Sequence, residues 1–160
     1  MKYFEDIRVG DRFELGQYRF TAAEIKSFAA RFDPQRFHMD EGEAARSHFG
    51  ALCASGWHTA SVWMKLLVAY RKHTAEAARA RGEPVAAIGP AAGFRNLKWL
   101  KPVYVDDTIT CASEVIETRT SASRPRWGLI SSRGSAINQH GETVYSFEST
   151  AFIERRPGQQ

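Results

Sequence analysis

The feature that most constrains the fold is one long helical pattern, from Gly56 to about Arg81. At roughly 24 residues and ~1.5 Å each, such a helix is long enough to be wrapped by a sheet. Its second half is polar, and Gly82 and Pro84 are typical of a helix end. Its first half is apolar on nearly every side, which predicts burial. The apolar residues are Ala60, Val62, Trp63, Met64, Leu66, Leu67, Val68, Ala69 and Tyr70.

Strand patterns dominate the rest of the chain, mostly after this helix. Residues 85–94 are interpreted as a loop with at most a short strand, because they contain Gly89, Pro90 and Gly93. Long antiparallel strands beside one buried helix predict an α+β fold. The predicted strands are Arg12–Phe20, one starting at Arg95, Thr108–Arg119, Trp127–Asn138 and Thr143–Ile153.

The bulk composition is that of an ordinary soluble protein, with 43% hydrophobic and 25% charged residues. The 160 residues predict one domain, residues 1–160, with 155–160 as a frayed tail. The net charge of +4 is scattered and forms no basic run, so no nucleic-acid partner is expected. Lys65 and Arg71 interrupt the most apolar stretch, so no membrane span is expected.

The cysteines and histidines limit the compartment and the metal chemistry. Cys53 and Cys111 are isolated, and the polar start of the chain does not resemble a secretory leader, so we expect buried thiols in a reducing cytoplasm. His38, His48 and His58 are each ten residues apart, which matches no familiar ligand spacing. We therefore expect no metal site.

The first stretch with residues suited to catalysis is a turn that carries Asp33 and His38. The helix before it is predicted to begin at Thr21, with Glu24 completing a capping box. Pro34 keeps Asp33 out of the helical region, so the helix ends and a turn follows. A carboxylate and an imidazole aimed at one point can hold and activate a water. A purely structural turn is the alternative interpretation of these two residues.

The second such stretch is the start of the long helix. Ser55 is a good N-cap, and Gly56 allows another group to approach the backbone closely. The free N–H groups at a helix N-terminus favour developing negative charge. Together the two stretches indicate chemistry at the carbons next to a carbonyl.

These segments, residues 33–40 and 54–58, followed by the strand-turn-strand pattern of residues 94–109, resemble the MaoC-like dehydratases. Those enzymes are relatives of the (R)-specific enoyl-CoA hydratases and have the hot-dog fold. The resemblance extends from about Phe4 to Ile153. It implies a curled antiparallel sheet wrapped around the Gly56–Arg81 helix.

The resemblance also implies a reaction, the interconversion of a trans-2-enoyl thioester and a 3-hydroxyacyl thioester. It gives the catalytic roles to Asp33, His38 and the Gly56 N–H. The implied substrate is an acyl-CoA or an acyl carrier protein thioester, and no cofactor is implied. Family members usually assemble as homodimers or as dimers of dimers, with the acyl tunnel between subunits.

The expected substrate-binding residues surround that catalytic set: Ser55, Trp57, His58 and Phe37. Further aromatic residues, Phe49, Trp63 and Trp99, either line an acyl pocket or simply pack in the core.

Two positions differ from the common family pattern. Gln35 is the only amide between Asp33 and His38, where hydratases often have Asn, and Ser55 stands where His is common. Two alternative functions therefore stay open. One is a hot-dog acyl thioesterase, and the other is a non-catalytic acyl-thioester-binding subunit of a larger complex.

Overall fold

The computed structural model of the protein describes residues 2–158. A short 3₁₀ helix at Phe4–Asp6 precedes five strands and four α-helices. In chain order these are β1 (Arg12–Arg19), α1 (Ala22–Phe32), α2 (Arg36–Met39), α3 (Glu41–Ala45), α4 (Gly56–Ala80), β2 (Ile88–Trp99), β3 (Thr108–Thr120), β4 (Trp127–Ile137) and β5 (Thr143–Glu154).

The five strands form one antiparallel sheet in the order β1-β3-β4-β5-β2. The sheet curls around α4, and the main core lies between them. Trp63 of α4 packs edge-on against Phe147 of β5, with ring centroids 4.7 Å apart, and its indole N–H donates to the Ala112 carbonyl of β3. The predicted α+β fold, a curled sheet around one long helix, is confirmed.

Helix α4 buries only one of its faces. Val62, Trp63 and Leu67 are buried against the sheet, whereas Met64 and Val68 are 50% and 56% exposed. The expectation that the first half is buried on all sides is therefore wrong for the single chain, because the sheet covers the helix from one side. Within residues 2–158, no helix is long and apolar enough to cross a membrane.

The end of α4 follows the predicted glycine signal. Gly82 has φ +71°, and its N–H donates to the Arg79 carbonyl, while the Glu83 N–H donates to the Ala78 carbonyl. This pair of hydrogen bonds is the Schellman arrangement, which satisfies carbonyls that the helix leaves free.

Strand β2 corrects the interpretation of residues 85–94 as a loop. It is one edge strand of 12 residues paired with β5, and its register shifts at three places. Gly93 has φ +115° and lies at one of these irregularities. Because an edge strand tolerates bulges, glycine and proline, the turn-forming residues did not prevent pairing.

The segment after β5 also differs from the expected frayed tail. The Arg155 guanidinium contacts Glu5 at 3.0 Å, and that of Arg156 contacts Asp6 at 2.7 Å. These ion pairs tie residues 155–156 to the start of the chain. The last two positions of the predicted tail, 159 and 160, lie outside the described residues.

Candidate active site

Asp33 is placed by the end of α1. The predicted capping box is present, with the Thr21 hydroxyl accepting from the Glu24 N–H and the Glu24 carboxylate accepting from the Thr21 N–H. The helix ends at Phe32, and the Asp33 N–H still donates to the Ala29 carbonyl at 2.9 Å. The carboxylate therefore leaves a firmly anchored helix end.

His38 lies in α2, a single helical turn that the sequence analysis treated as an irregular turn. Its side chain is buried, and Nδ1 donates to the Cys53 carbonyl at 2.7 Å. Because a carbonyl oxygen can only accept, Nδ1 carries the hydrogen of this bond, and the bond fixes the orientation of the ring. Nε2 points toward the carboxylate and lies 3.5 Å from Asp33 Oδ2.

Ser55 joins this pair to the start of α4. Its hydroxyl donates to Asp33 Oδ2 at 2.7 Å and accepts from the Trp57 N–H at 3.2 Å. The residue is thus both the N-cap of α4 and a hydrogen-bond partner of the carboxylate. This double role fixes the distance between Asp33 and the helix N-terminus.

The surroundings of Asp33 keep it ionised. Burial of the carboxyl acts to raise its pKa, but hydrogen bonds, the largest from Ser55 and the next from Gln35, hold the pKa below its usual range. The Gln35 amide donates at 2.8 Å to Oδ1. Gln35, the amide that differs from the common family residue, therefore serves as a donor to Asp33.

Gly56 is the first residue of α4, and its N–H is free. Among residues 2–158, no acceptor lies within hydrogen-bond reach of this N–H. The Trp99 indole lies against Gly56 so closely that a Cβ there would be 2.5 Å from the ring. The absence of a side chain at Gly56 is what allows this approach.

These groups line one cavity of about 440 Å³, within the range of small-molecule sites. Asp33, His38 and Gly56 all border it, and so do the expected binding residues Ser55, Trp57 and Phe37. Phe49 and Trp99 add further aromatic surface. The cavity combines an apolar wall with a cluster of polar groups at one end.

His58, which was expected to bind the substrate, lies elsewhere, and of the two alternatives for Trp63 the structure shows core packing. His58 is buried between Phe28, on which it stacks at 4.6 Å, and Phe20, whose ring is 5.0 Å away. Burial lowers the pKa of its imidazole, and His58 does not border the cavity described above. Trp63 belongs to the core between α4 and the sheet. Neither side chain is brought to the site.

The thiol of Cys53 is close to His38 but is not activated. Its sulfur lies 3.8 Å from His38 Nδ1, and burial raises its pKa to about 11. A protonated, buried thiol is a poor nucleophile. Within the described part of the chain, no group of three or more His, Cys, Asp or Glu side chains is arranged to hold a metal ion.

Sequence reasoning missed two contributions to the site. The Cys53 carbonyl sets the orientation of His38, and a backbone group leaves no signal in residue type. The segment after β2, with Leu100, Lys101 and Val103, borders the cavity. Pro102 was the available signal, because proline is confined to the ends and edges of strands and so indicates where the strand that starts at Arg95 gives way to a loop.

Comparisons with known proteins bear on the fold and the family of the chain. A dehydratase described as MaoC-like from Rhodospirillum rubrum is 36% identical, superposes with a TM-score of 0.82, and covers 98% of this chain and 99% of its own. An uncharacterised Bacillus subtilis protein, YdeM, is 26% identical over 94% of this chain and 98% of its own length. A Mycobacterium tuberculosis protein, Rv0216, described as having a double hotdog fold, shares the fold at 16% identity, with a TM-score of 0.78 over 99% of this chain and 46% of its own.

The family model that describes the MaoC-like domain matches residues 7–126, well over half of the chain. This span contains Asp33, His38, Ser55 and Gly56, the residues that the geometry brings together. The hot-dog architecture, the match to the domain and the similarity to a dehydratase over the whole chain agree with one another. The chain belongs to the MaoC-like family of hydratases and dehydratases.

Proposed function

We propose that the protein interconverts a trans-2-enoyl thioester and a 3-hydroxyacyl thioester, with coenzyme A as the carrier. The observation that carries the proposal is the convergence of Asp33, His38 and the free Gly56 N–H on one cavity. Water activation and stabilisation of a carbonyl oxygen are the two requirements of this reaction. The family's association with hydratases and dehydratases supports the same reaction class.

In the proposed mechanism, one water lies beside the Asp33–His38 pair and hydrogen-bonds to both the carboxylate and His38 Nε2. The mechanism uses both groups as acceptors: the carboxylate is ionised, and the His38 tautomer with its hydrogen on Nδ1 leaves a lone pair on Nε2. The two hydrogens of the water point at them, so its oxygen lone pair is directed at the C3 carbon of the substrate. As the C3–O bond forms, the pair takes one proton and returns a proton to C2, and dehydration is the reverse.

The Gly56 N–H supplies the third role. Addition at C3 moves negative charge onto the thioester oxygen, and a free backbone donor at the positive end of α4 stabilises that charge. Removing one such donor elsewhere costs about 3–4 kcal/mol in the transition state. The thioester itself acidifies C2, so the proposed chemistry needs no cofactor.

A second copy of the chain is part of the proposal. The edge strand β2 is unpaired on its outer side in the single chain, and unpaired edges are normally covered or blunted. Large apolar side chains around it are exposed, with Phe94 62% and Trp99 45% accessible. A homodimer, or a dimer of dimers, would cover this surface and complete the acyl groove beside Trp99.

An absorbance assay tests the proposed reaction. Enoyl-CoA substrates of increasing chain length are added to the protein, and loss of the enoyl thioester absorbance is followed together with release of free thiol. The proposal predicts loss of absorbance without thiol. Thiol release would favour the thioesterase, and no change at any length would favour the binding subunit.

A cytoplasmic location, consistent with the free and buried Cys53 and Cys111, belongs to the same proposal.

A further inference from the structure

A second cavity lies under the other half of α4, and it shares no residue with the candidate active site. It is bordered by α4, by strands of the sheet and by the start of the chain, and it is partly open. Leu67 and Arg71 border it from the helix, and Val115 and Ser132 from β3 and β4. Arg71 is fifteen residues along the helix from Gly56, roughly 22 Å at ~1.5 Å per residue.

Arg71 is the unusual member of this lining. It is half-buried, and burial lowers the pKa of its guanidinium. Among the ion pairs and side-chain hydrogen bonds formed by residues 2–158, none involves Arg71. A guanidinium withdrawn from water without a carboxylate is costly, so such a group normally has an anionic partner.

Of the other polar residues of the cavity, Thr74 donates its hydroxyl to the Tyr70 carbonyl, and three further hydroxyls are available. The hydroxyls of Tyr70, Ser113 and Ser132 border it, and within the described part of the chain none of them has a hydrogen-bond partner. The rest of the lining is mainly aliphatic and aromatic. The cavity therefore offers an apolar interior, a few hydroxyls and two cations, of which Lys2 lies 3.7 Å from Asp11 and Arg71 has no carboxylate partner among residues 2–158.

We propose that this cavity binds a monocarboxylate with a short apolar chain, its head group on Arg71 and its tail between Leu67 and Val115. The geometry of an arginine fork suits a carboxylate, which it binds through two parallel hydrogen bonds. The cavity volume is about 200 Å³. At ~30 Å³ for each water-sized volume, this is room for roughly seven such volumes, the size of a short apolar chain. The site is separate from the acyl-thioester site and does not depend on the proposed reaction.

Isothermal titration calorimetry of the full chain with octanoate tests the site. Wild type is compared with Arg71→Gln and with Arg79→Gln, a control that removes an exposed arginine from the last turn of the same helix. We expect wild type and Arg79→Gln to bind alike, and Arg71→Gln to bind at least about tenfold more weakly, as is typical when a charged hydrogen-bond partner is lost. Octanamide, which has the same chain without the charge, should bind wild type and Arg71→Gln equally.

A second variant separates this cavity from any other binding place. Ser132→Leu leaves Arg71 intact but puts an apolar side chain into the cavity, so it should also lose octanoate. Circular dichroism melting shows whether each variant is folded. If Arg71→Gln is not folded, Arg71→Lys, which retains the charge, is used in its place. Arg71→Lys should bind octanoate better than Ser132→Leu does. Octanoate binding of equal strength in wild type, Ser132→Leu and the folded Arg71 variant, or no binding to wild type, would overturn the proposal.

Discussion

The Ser55 hydroxyl donates a 2.7 Å hydrogen bond to Asp33 Oδ2 while it caps the N-terminus of α4. One side chain therefore connects the proposed water-activating carboxylate with the helix whose first N–H is proposed to bind the substrate oxygen. A small hydroxyl residue suits both tasks, because it accepts from the backbone and donates to the carboxylate at the same time. This connection leads directly to a pH-dependent prediction.

Ser55→Ala should move the acid limb of the pH–activity profile to higher pH. Burial raises the pKa of Asp33, and the Ser55 hydrogen bond is the largest of the effects that lower it. Without that bond the pKa rises, so the carboxylate is protonated, and inactive as an acceptor, at a higher pH than in wild type. Initial rates of wild type and Ser55→Ala measured across the acid pH range check this. Acid limbs that coincide in the two proteins would contradict it.

The same variant should also be less stable. Loss of the N-cap costs about 1 kcal/mol, and loss of the bond to the ionised Asp33 adds to it. Because the folded-state pKa of Asp33 is lowered, the second contribution is present above its unfolded-state pKa and disappears as the pH falls through the folded-state pKa. Urea unfolding at neutral and at acidic pH should therefore show a stability difference that shrinks on acidification.

Asp33→Asn and His38→Ala should each reduce turnover by at least ~10², as expected for loss of an acid–base group. Asp40→Asn and His73→Ala are matched controls. Asn is as good an N-cap as Asp for α3, and His73 is exposed on α4. Steady-state rates with enoyl-CoA, together with melting curves, check the result. If activity per folded molecule survived in both variants, Asp33 and His38 would have only a structural role.

Gly56→Ala should lower the free energy of unfolding of the wild-type protein but raise that of the Trp99→Leu variant. In wild type the new methyl group would lie 2.5 Å from the Trp99 indole, so the ring must move and the cavity wall changes. In Trp99→Leu that obstacle is absent, and alanine is favoured over glycine in a helix by up to ~1 kcal/mol. Urea unfolding of the four proteins gives the coupling energy, which should exceed about 0.5 kcal/mol. Additive effects would show that the close contact is unimportant.

The architecture could be predicted well from the sequence, because the spacing of hydrophobic residues and the capping residues at helix ends depend only on neighbouring positions. The capping box of Thr21 and Glu24 appears as predicted, and the long helix ends just before Gly82, as its glycine predicted. Residues 88–94 were misjudged because Gly89, Pro90 and Gly93 suggest turns, and only pairing with β5 reveals an edge strand. Which face of α4 is covered also depends on tertiary packing.

The candidate site was predictable in its residues but not in its connections. Asp33, His38 and Gly56 border one cavity, as expected from the resemblance of their segments to the family's motifs. The orientation of His38 by the Cys53 carbonyl and the link between Ser55 and Asp33 depend on three-dimensional contacts between segments 15 and 22 residues apart. His58 was expected near the substrate because it is in the first turn of α4, but its direction places it between Phe20 and Phe28.

The protein should sediment above the 18.0 kDa mass of one chain. Phe94→Glu, on the exposed edge strand β2, should shift it toward the monomer and reduce specific activity, because a charge cannot be buried between subunits without a partner. Val9→Glu is the control, since Val9 is equally exposed but lies before β1, far from β2 in the sheet order. A fully active monomer at working concentrations would refute the shared groove.

The central claim, that Asp33 and His38 direct a water to C3, is tested most directly by tracing the oxygen of that water. The protein is incubated with an enoyl-CoA in water carrying heavy oxygen, and the products are analysed by mass spectrometry. We predict that the label appears in the C3 hydroxyl of a 3-hydroxyacyl-CoA, and that Asp33→Asn abolishes its incorporation. Label in a free carboxylate, or unlabelled substrate recovered unchanged, would contradict the account.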